Sequence, residues 1–508
     1  MNLKYALTGV AIVAASQVSY AQYSSDAFHF SQTQTGATAR IKAIGGASTA
    51  VGGDLSSVSG NPAGIGFFTK SELSITPEFN DSQIKSSYLG QANSSGKNQV
   101  NLNNASVVFY NRLSTPRGQD KTKGWLSFNL GASYNRTNNF YQNTYYAGKN
   151  PNGSISQYYA QEANREVAKY GNFAAGDNTL QAWAYNQQQI DLYNATPTSP
   201  QGYYSNVTSL NNSQNNTIVT SGGQSEISLS GGANYSNKLY LGFGIGITDL
   251  RYNRTSTFNE TGTASILPTN TATPISTGYA SQYFQDQITT GTGFNAKVGF
   301  IYKPVEAVRI GATYTSPTWM TIADSYLEGL QTSYSKNSIT SNSSNPGDHD
   351  LTYNLRTPMK VSGGVAVFVG KYGFISGDVE YVDYKGMHLS GGSNFDFSAD
   401  NNDLSTLYKS TVNARIGAEA KLDDFFIRGG FNYQGNPEVG IGSPIKTSSA
   451  GIGYRFGNYY VDATYQYVTH NTTVYPYQFD PIYNTSVSPA ANLKNTYNNA
   501  FLTLGIRF

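Results

Sequence analysis

The chain holds four histidines: His29, His349, His388 and His470. None has a motif around it, and nucleophilic or acid–base catalysis needs a His, Ser or carboxylate constellation. The sequence therefore does not read as an enzyme. It has no Cys, which excludes disulfides, Cys-ligated metals and a lipid-modified Cys near the start. Haem wants an axial His or Tyr, but 40 tyrosines spread along the chain single out none. No metal and no cofactor is indicated. The informative charges are few. Arg40, Lys42, Arg415 and Arg428 could each meet a carboxylate, on a ligand or on Asp54, Asp378, Glu380 or Glu419 of the same chain. Pairing within the chain is the commoner use of such residues.

These residues sit on segments with period-2 alternation, so strands must position them. In "KLYLGFGIGITDLRY", Leu239, Leu241, Phe243, Ile245 and Ile247 point one way, and Tyr240, Gly242, Gly244, Gly246 and Thr248 the other. In "VNARIGAEAKL", Val412, Ala414, Ile416, Ala418 and Ala420 alternate with Asn413, Arg415, Gly417, Glu419 and Lys421. In "FFIRGGFNYQ", Arg428, Asn432 and Gln434 alternate with Phe425, Ile427, Phe431 and Tyr433. A charge at bilayer depth costs a few kcal/mol. The ionisable face therefore belongs to a lumen and the apolar face to lipid. A soluble sandwich would reverse that assignment, but it would carry more surface Lys and Glu.

Composition agrees with a membrane barrel. Charged residues are 13% of 508, about half the usual share, with 52 Gly and a net charge of +2. That charge makes no case for nucleic acid. Outside residues 5–15 no long apolar run occurs, so a bundle of membrane helices is excluded. About fourteen strands are expected, near 71–80, 102–110, 125–135, 224–235, 238–251, 289–302, 306–317, 357–370, 372–384, 410–421, 424–434, 447–456, 458–469 and 497–508. Tight turns at "YSNK", "KPVE", "GKYG", "LDD" and "FGN" alternate with long connections at 136–223, 252–288, 318–356, 385–409, 435–446 and 470–496. Short periplasmic turns alternating with long external loops are the sidedness of an outer-membrane barrel. Within 136–223, "QEANREVAKY" and "LQAWAYNQQQIDLY" read as short helices, with Trp183, Tyr185, Ile190 and Leu192 as an apolar side of the second.

Residues 1–21 read as a secretory leader: Lys4, the apolar run "YALTGVAIVAA", then small residues before a cleavage after Ala21. The mature chain divides into 22–70, which lacks alternation, and a barrel over 71–508. The segment "IKAIGGASTAVGGDLSSVSGNPAGIGFF" is too apolar for stable disorder. A fourteen-strand barrel is wide enough to take it in as a plug. Asn61-Pro62-Ala63-Gly64 would form a rigid corner there, with Asn61 biased to an extended conformation by the proline.

On these residues the chain resembles a known family. "ARIKAIGGASTAVGGDLSSVSGNPAGIG" is similar to the N-terminal hatch of the FadL/TodX outer-membrane transporters of hydrophobic compounds, which include long-chain fatty acid transporters. "TPMKVSGGVAVFVGKYGFISGDVEYVDY" resembles middle strands of Bacteroidetes-type members. The strand count and the terminal Phe508 agree. The resemblance implies passive uptake: capture among external loops, a pocket in the barrel, and lateral release into the membrane past a hatch and a kinked third strand. The hatch motif falls on Asn61, Pro62 and Ala63, and Gly131 is the position for the kink, since Gly in a strand often marks a bulge. The implied partners are a hydrophobic ligand, outer-membrane lipid, and the barrel-assembly machinery through the strand ending at Phe508. Nothing in the sequence demands more than a monomer. A hemin receptor and a general porin or adhesin are the rival readings. An energised receptor would need a larger barrel, and a porin keeps an open lumen.

Overall fold

The computed structural model describes residues 21–508 apart from 35, 115–117, 119, 172–177, 194–201, 269–272, 337–346 and 392–394. The expected leader lies outside the described residues except for Ala21. The wall begins with β1 (Glu72–Tyr88), β2 (Gln91–Phe109), β3 (Trp125–Asn139) and β4 (Gln142–Asn150). A small hairpin, β5 (Ile190–Tyr193) and β6 (Gly202–Ser205), stands apart. The wall resumes with β7 (Asn212–Tyr235), β8 (Leu239–Ile266), β9 (Ile275–Val305), β10 (Val308–Thr315), β11 (Trp319–Tyr334), β12 (Gly347–Arg356) and β13 (Lys360–Phe368). It ends with β14 (Gly373–Val382), β15 (His388–Gly391), β16 (Thr411–Leu422), β17 (Phe425–Gln434), β18 (Ile445–Phe456), β19 (Tyr459–Val474) and β20 (Ala491–Arg507).

Among the described residues, eighteen of these segments form one antiparallel sheet of fourteen staves. Four staves are broken once each, into β3/β4, β10/β11, β12/β13 and β14/β15. The β1–β20 ladder, from Glu72↔Arg507 to Tyr88↔Ala491, closes the barrel. Closure leaves no edge, and in hydrocarbon every backbone donor must find its partner within the protein.

The faces sort as the alternation demands. Leu73, Ile75 and Phe79 of β1 and Leu241, Phe243, Ile245 and Ile247 of β8 are exposed on the outside. Ser74, Thr76 and Glu78 of β1, and Glu419, Arg428 and Asp462 of β16, β17 and β19, are buried inside. Trp125, Tyr235, Phe425, Tyr454, Phe456 and Tyr459 are exposed near the short-turn end. Trp319, Tyr433, Tyr465 and Tyr467 are exposed nearer the other end. Two such aromatic girdles bound a lipid band. The protein is a β-barrel of the bacterial outer membrane. No helix among the described residues is long and apolar enough to cross a membrane.

The strands run further than their alternation. The turn between β1 and β2 is only Leu89-Gly90, both at positive φ. Much of 252–288 is the β8–β9 hairpin, paired out to Ile266↔Ile275. Much of 318–356 is β11 and β12, and 136–223 includes β4, the start of β7 and two helices. These ends stand beyond the lipid band, where water reaches the outer face. An outward side chain there need not be apolar, and the period-2 signal fades. On β8 the outward series passes from Ile247 to Asp249 and Arg251, which pair with each other at 3.4 Å.

The band makes a direct prediction. Ile245→Lys should destabilise the folded barrel by about 2–4 kcal/mol, the cost of a cation near the bilayer midplane. Denaturant unfolding in lipid vesicles measures it.

Candidate functional site

Four short elements precede the barrel: α1 (Ala21–Ser31), α2 (Ala39–Ala43) and two 3-10 turns, Leu55–Val58 and Pro62–Phe67. Residues 36–68 pack against the inner wall on many sides. Ala39 N–H donates to Thr503 Oγ1 at 2.7 Å, and Thr464 Oγ1 donates to the Ala39 carbonyl at 2.6 Å. Thr49 N–H donates to Asp378 Oδ2 at 2.8 Å. Asn129 Nδ2 donates to the carbonyls of Ile65 and Phe68 at 2.9 and 3.1 Å. Wall glycines permit backbone-to-backbone approach. A Cβ on Gly242 would stand 2.2 Å from Pro62 C, and one on Gly430 2.2 Å from Gly45 N.

Asn61 is the joint of this segment. It is extended, at φ −93° and ψ 104°, and Pro62 follows as the first residue of the 3-10 turn. Its Oδ1 accepts from Ala63 N–H at 3.1 Å, an N-cap. Its Nδ2 donates to the Thr49 carbonyl at 2.7 Å and meets the Phe300 and Ala312 carbonyls at 3.2 and 3.4 Å. One side chain thus ties two loops of the segment to β9 and β10. Ala63 is buried and Gly64 packs on Ser57.

The cations named from sequence divide sharply. Arg40 pairs with Glu419 at 2.8 Å, and Arg428 bridges Glu419 and Asp462, both at 2.6 Å. Arg415 pairs with Glu380 at 2.6 Å. Those three guanidinium groups are committed to internal partners. Lys42 is buried with its ammonium 5.2 Å from the centre of the Phe501 ring. Burial lowers its pKa. A second inward amine, Lys360, donates to Thr33 Oγ1 at 2.5 Å. Among the described residues neither Lys42 nor Lys360 has a carboxylate within ion-pair distance.

Above this floor lies an aromatic chamber, and α1 occupies it. Tyr23 meets Tyr353 and Phe395 edge-on at 5.4 Å each, and Phe28 stacks on Tyr408 at 4.4 Å. Phe30 packs on Tyr252 at 5.6 Å. Leu250, Met320, Ile322, Leu355 and Leu389 complete the cluster from the wall. His29 stands 4.8 Å from Phe140 and 5.3 Å from Tyr252. One polar knot lies within. Gln287 Nε2 donates to Asp26 Oδ2 at 2.7 Å and to Asp324 Oδ1 at 3.1 Å. Burial, then the charge of Asp324, push the Asp26 carboxyl up to about 7.

The wall beside the chamber is incomplete. The β2–β3 ladder runs only from Asn104↔Asn135 to Phe109↔Leu130. Beyond it β2 pairs with β1 and β4 pairs with β7. The chain between α1 and α2 lies along the interruption. Gln34 N–H donates to the Thr137 carbonyl at 2.8 Å. Asn138 Nδ2 donates to the Gln32 carbonyl at 3.1 Å, and Asn103 Nδ2 to the Ala37 carbonyl at 2.5 Å.

Gly131 does not mark this interruption. It sits in regular register between Val108 and Ser230. A Cβ there would come 2.7 Å from Val58 Cγ2, so the residue admits the inner segment rather than bending the strand. The register shifts of β3 fall at Trp125/Ser127 and Arg136/Asn138. The Asn-rich run from Asn135 to Asn139, poor in strand formers, was the available signal for the second. Lys360 and the chamber had no such local signal.

Toward the external end, α3 (Ser156–Tyr170) and α4 (Leu180–Asn186) fall on the two helical stretches. Trp183 joins a second apolar cluster with Tyr159, Phe258 and Tyr477. Ile190 and Leu192 belong to β5 instead, because the helix stops at Asn186.

Comparison with known proteins bears on the fold. No family model matches the sequence, and no curated protein matches it. Solved structures do. A FadL homologue from Pseudomonas aeruginosa superposes with a TM-score of 0.51 at 11% identity, covering 93% of this chain and 98% of that one. A deltaS2 mutant of the TodX monoaromatic hydrocarbon channel gives 0.53 at 14% identity, covering 93% and 99%. The Pseudomonas putida toluene transporter TodX gives 0.50 at 13%, covering 94% and 100%.

The knot at Asp26 predicts a pH dependence. A carboxyl whose pKa is raised on docking binds more protons docked than free. The Asp26 contribution to docking of α1 is then strongest in acid and weakens as pH rises from about 4 through about 7. His29, lowered to about 4 by burial and then Arg254, contributes with the opposite sign. It is neutral when docked and protonated when free, so docking gains as pH rises from about 4 to its ordinary value of 6.5. Protease cleavage within 22–31 should therefore change little from pH 5 to pH 8. In Asp26→Asn, where the His29 contribution is unopposed by Asp26, it should decrease over that range.

Proposed function

We propose that this chain is a member of the FadL/TodX family and takes up hydrophobic small molecules, long-chain fatty acids first among them, passively across the outer membrane. The observation that carries the reading is the aromatic chamber inside a blocked lumen, next to the interrupted β2–β3 ladder. Pockets for apolar ligands are built this way, with an apolar lining and few polar anchors. Residues 22–70 act as the hatch. The external segments packed around the Trp183 and Tyr159 cluster carry the capture surface, the chamber is the pocket, and the end of the β2–β3 ladder beyond Asn104↔Asn135 is the lateral exit. The chamber is filled by the protein's own helix, so a ligand must displace α1 to occupy it. Movement of α1 pulls on residues 32–34 and 36–37, which lie along the exit.

Lys360 serves as the carboxylate anchor. It donates to Thr33, just past α1, and no carboxylate among the described residues lies within ion-pair distance of it. A toluene-like hydrocarbon, the cargo named for the TodX structures, would not use it. The reading has two tests. Lys360→Met should weaken binding of a long-chain fatty acid by about tenfold, the worth of one charge-assisted hydrogen bond, and leave a neutral aromatic hydrocarbon unchanged. Competitive displacement of a fluorescent fatty acid from purified protein measures both, and equal loss of the two ligands would sink the anchor role.

The hatch has its own test. Asn61→Ala removes an N-cap worth about 1 kcal/mol and the ties to β9 and β10. It should raise the conductance of single barrels in planar bilayers above that of the parent. A parent with a large, steady conductance would make the protein a porin.

A further inference from the structure

The outer face carries a second arrangement that transport does not use. Five outward residues on five neighbouring staves form one continuous cross-strand row. Ile247 of β8 pairs with Phe294 of β9, and Phe294 with Trp319 of β11. Trp319 pairs with Arg356 of β12, and Arg356 with His388 of β15. The row passes from aliphatic through aromatic to basic. Phe294 and Trp319 lie with ring centres 5.3 Å apart. All five residues line one groove of about 680 Å³.

The wall explains why a groove forms there. Three adjacent staves break at the same level, over residues 316–318, 357–359 and 383–387. Pro317 and Pro358 supply no N–H, so neither stave continues its ladder through the break. Trp319, Arg356 and His388 are the residues bordering it. Trp319 also belongs to the outer aromatic girdle, which puts the row at the depth where hydrocarbon gives way to headgroups.

The basic end has little internal compensation. Arg356 Nη2 donates to the Gly386 carbonyl at 3.2 Å. No carboxylate among the described residues is in ion-pair distance of it. Lys385, exposed in the third break, adds a cation. The acid of that break, Asp383, accepts from Ser410 Oγ at 2.7 Å. The next outward row is Asp249, Thr292, Thr321, Asn354 and Ser390. Its one acid stands at the far, apolar end and pairs with Arg251.

We propose that this groove binds a phosphorylated lipid of the outer leaflet, its phosphate between Arg356 and His388 and an acyl chain against Trp319, Phe294 and Ile247. Charge complementarity selects an anion, since Arg presents a fork of donors that suits phosphate. The apolar half and its place on the lipid-facing surface select a membrane lipid over a free ion. The site holds the barrel at a fixed depth and screens a broken part of its wall.

Native mass spectrometry of the full-length protein released from detergent tests this. The probes are bis-phosphorylated lipid A, its dephosphorylated form, inorganic phosphate and a long-chain fatty acid. The phosphorylated lipid should remain bound, the dephosphorylated lipid should not, and Arg356→Gln with His388→Gln should cut the bound fraction about tenfold or more. Arg356→Lys with His388→Arg, which keeps a phosphate donor at each position, should retain the lipid. Heat-dependent electrophoretic mobility establishes that each variant is folded. Equal binding of both lipids, displacement by inorganic phosphate alone, displacement by the fatty acid, or binding unaffected by the double glutamine variant would each overturn the proposal.

Discussion

Hydrocarbon accepts no hydrogen bond and solvates no charge. Every feature of this protein answers that constraint. The backbone answers it by closing β1 onto β20, which removes the last edge. The side chains answer it by turning every strand so that Arg415, Glu419 and Arg428 face inward. An inward charge is then enclosed in a lumen largely filled with protein, and it needs a partner there. Breaking such a pair by removing one member leaves a buried charge uncompensated, which costs several kcal/mol. The inner segment supplies part of the compensation. Arg40 reaches Glu419, and the backbone of Thr49 reaches Asp378. Wall and inner segment are therefore one electrostatic unit.

Where the ladder does not close, the same constraint still holds. Between β2 and β3 the unpaired stretch is met from inside by the chain between α1 and α2, and by a set of asparagines. These partners are side chains and a connecting segment, not a strand. They can separate without unravelling the barrel, so the interruption is a place where the wall can change state at low cost. Across the barrel, the breaks at Pro317 and Pro358 lie within staves rather than between them. The neighbouring ladders continue above and below, and that part of the wall stays assembled.

The chamber poses a different balance. Its rings bury a large apolar area, and α1 rather than solvent covers them. An empty apolar cavity loses contacts on every side. A helix that is amphipathic only weakly, and tied by one carboxyl knot at Asp26, fills it while remaining displaceable.

Composition and alternation sufficed for the fold class, the stave count and the inward charges, because the lipid band imposes a period-2 rule on each strand separately. The Asn61-Pro62 corner was also legible, since Pro acts on its own neighbours. Three things were not. The strand ends beyond the band obey no facing rule, so β8 and β9 read as loop past Arg251 and before Thr289. Gly131 looked like a bend, but its glycine answers to Val58, more than seventy residues away in sequence. Arg40, Lys42, Arg415 and Arg428 all read from sequence as cations, and only the register of β14 against β16, and of β16 against β17, commits Arg415 to Glu380 and Arg428 to Glu419. Lys360 beside Thr33, and Trp319 beside Arg356 and His388, are likewise products of closure. Facing is a local property of a strand. Partnership depends on which strand lies alongside, and that is set only when the sheet closes.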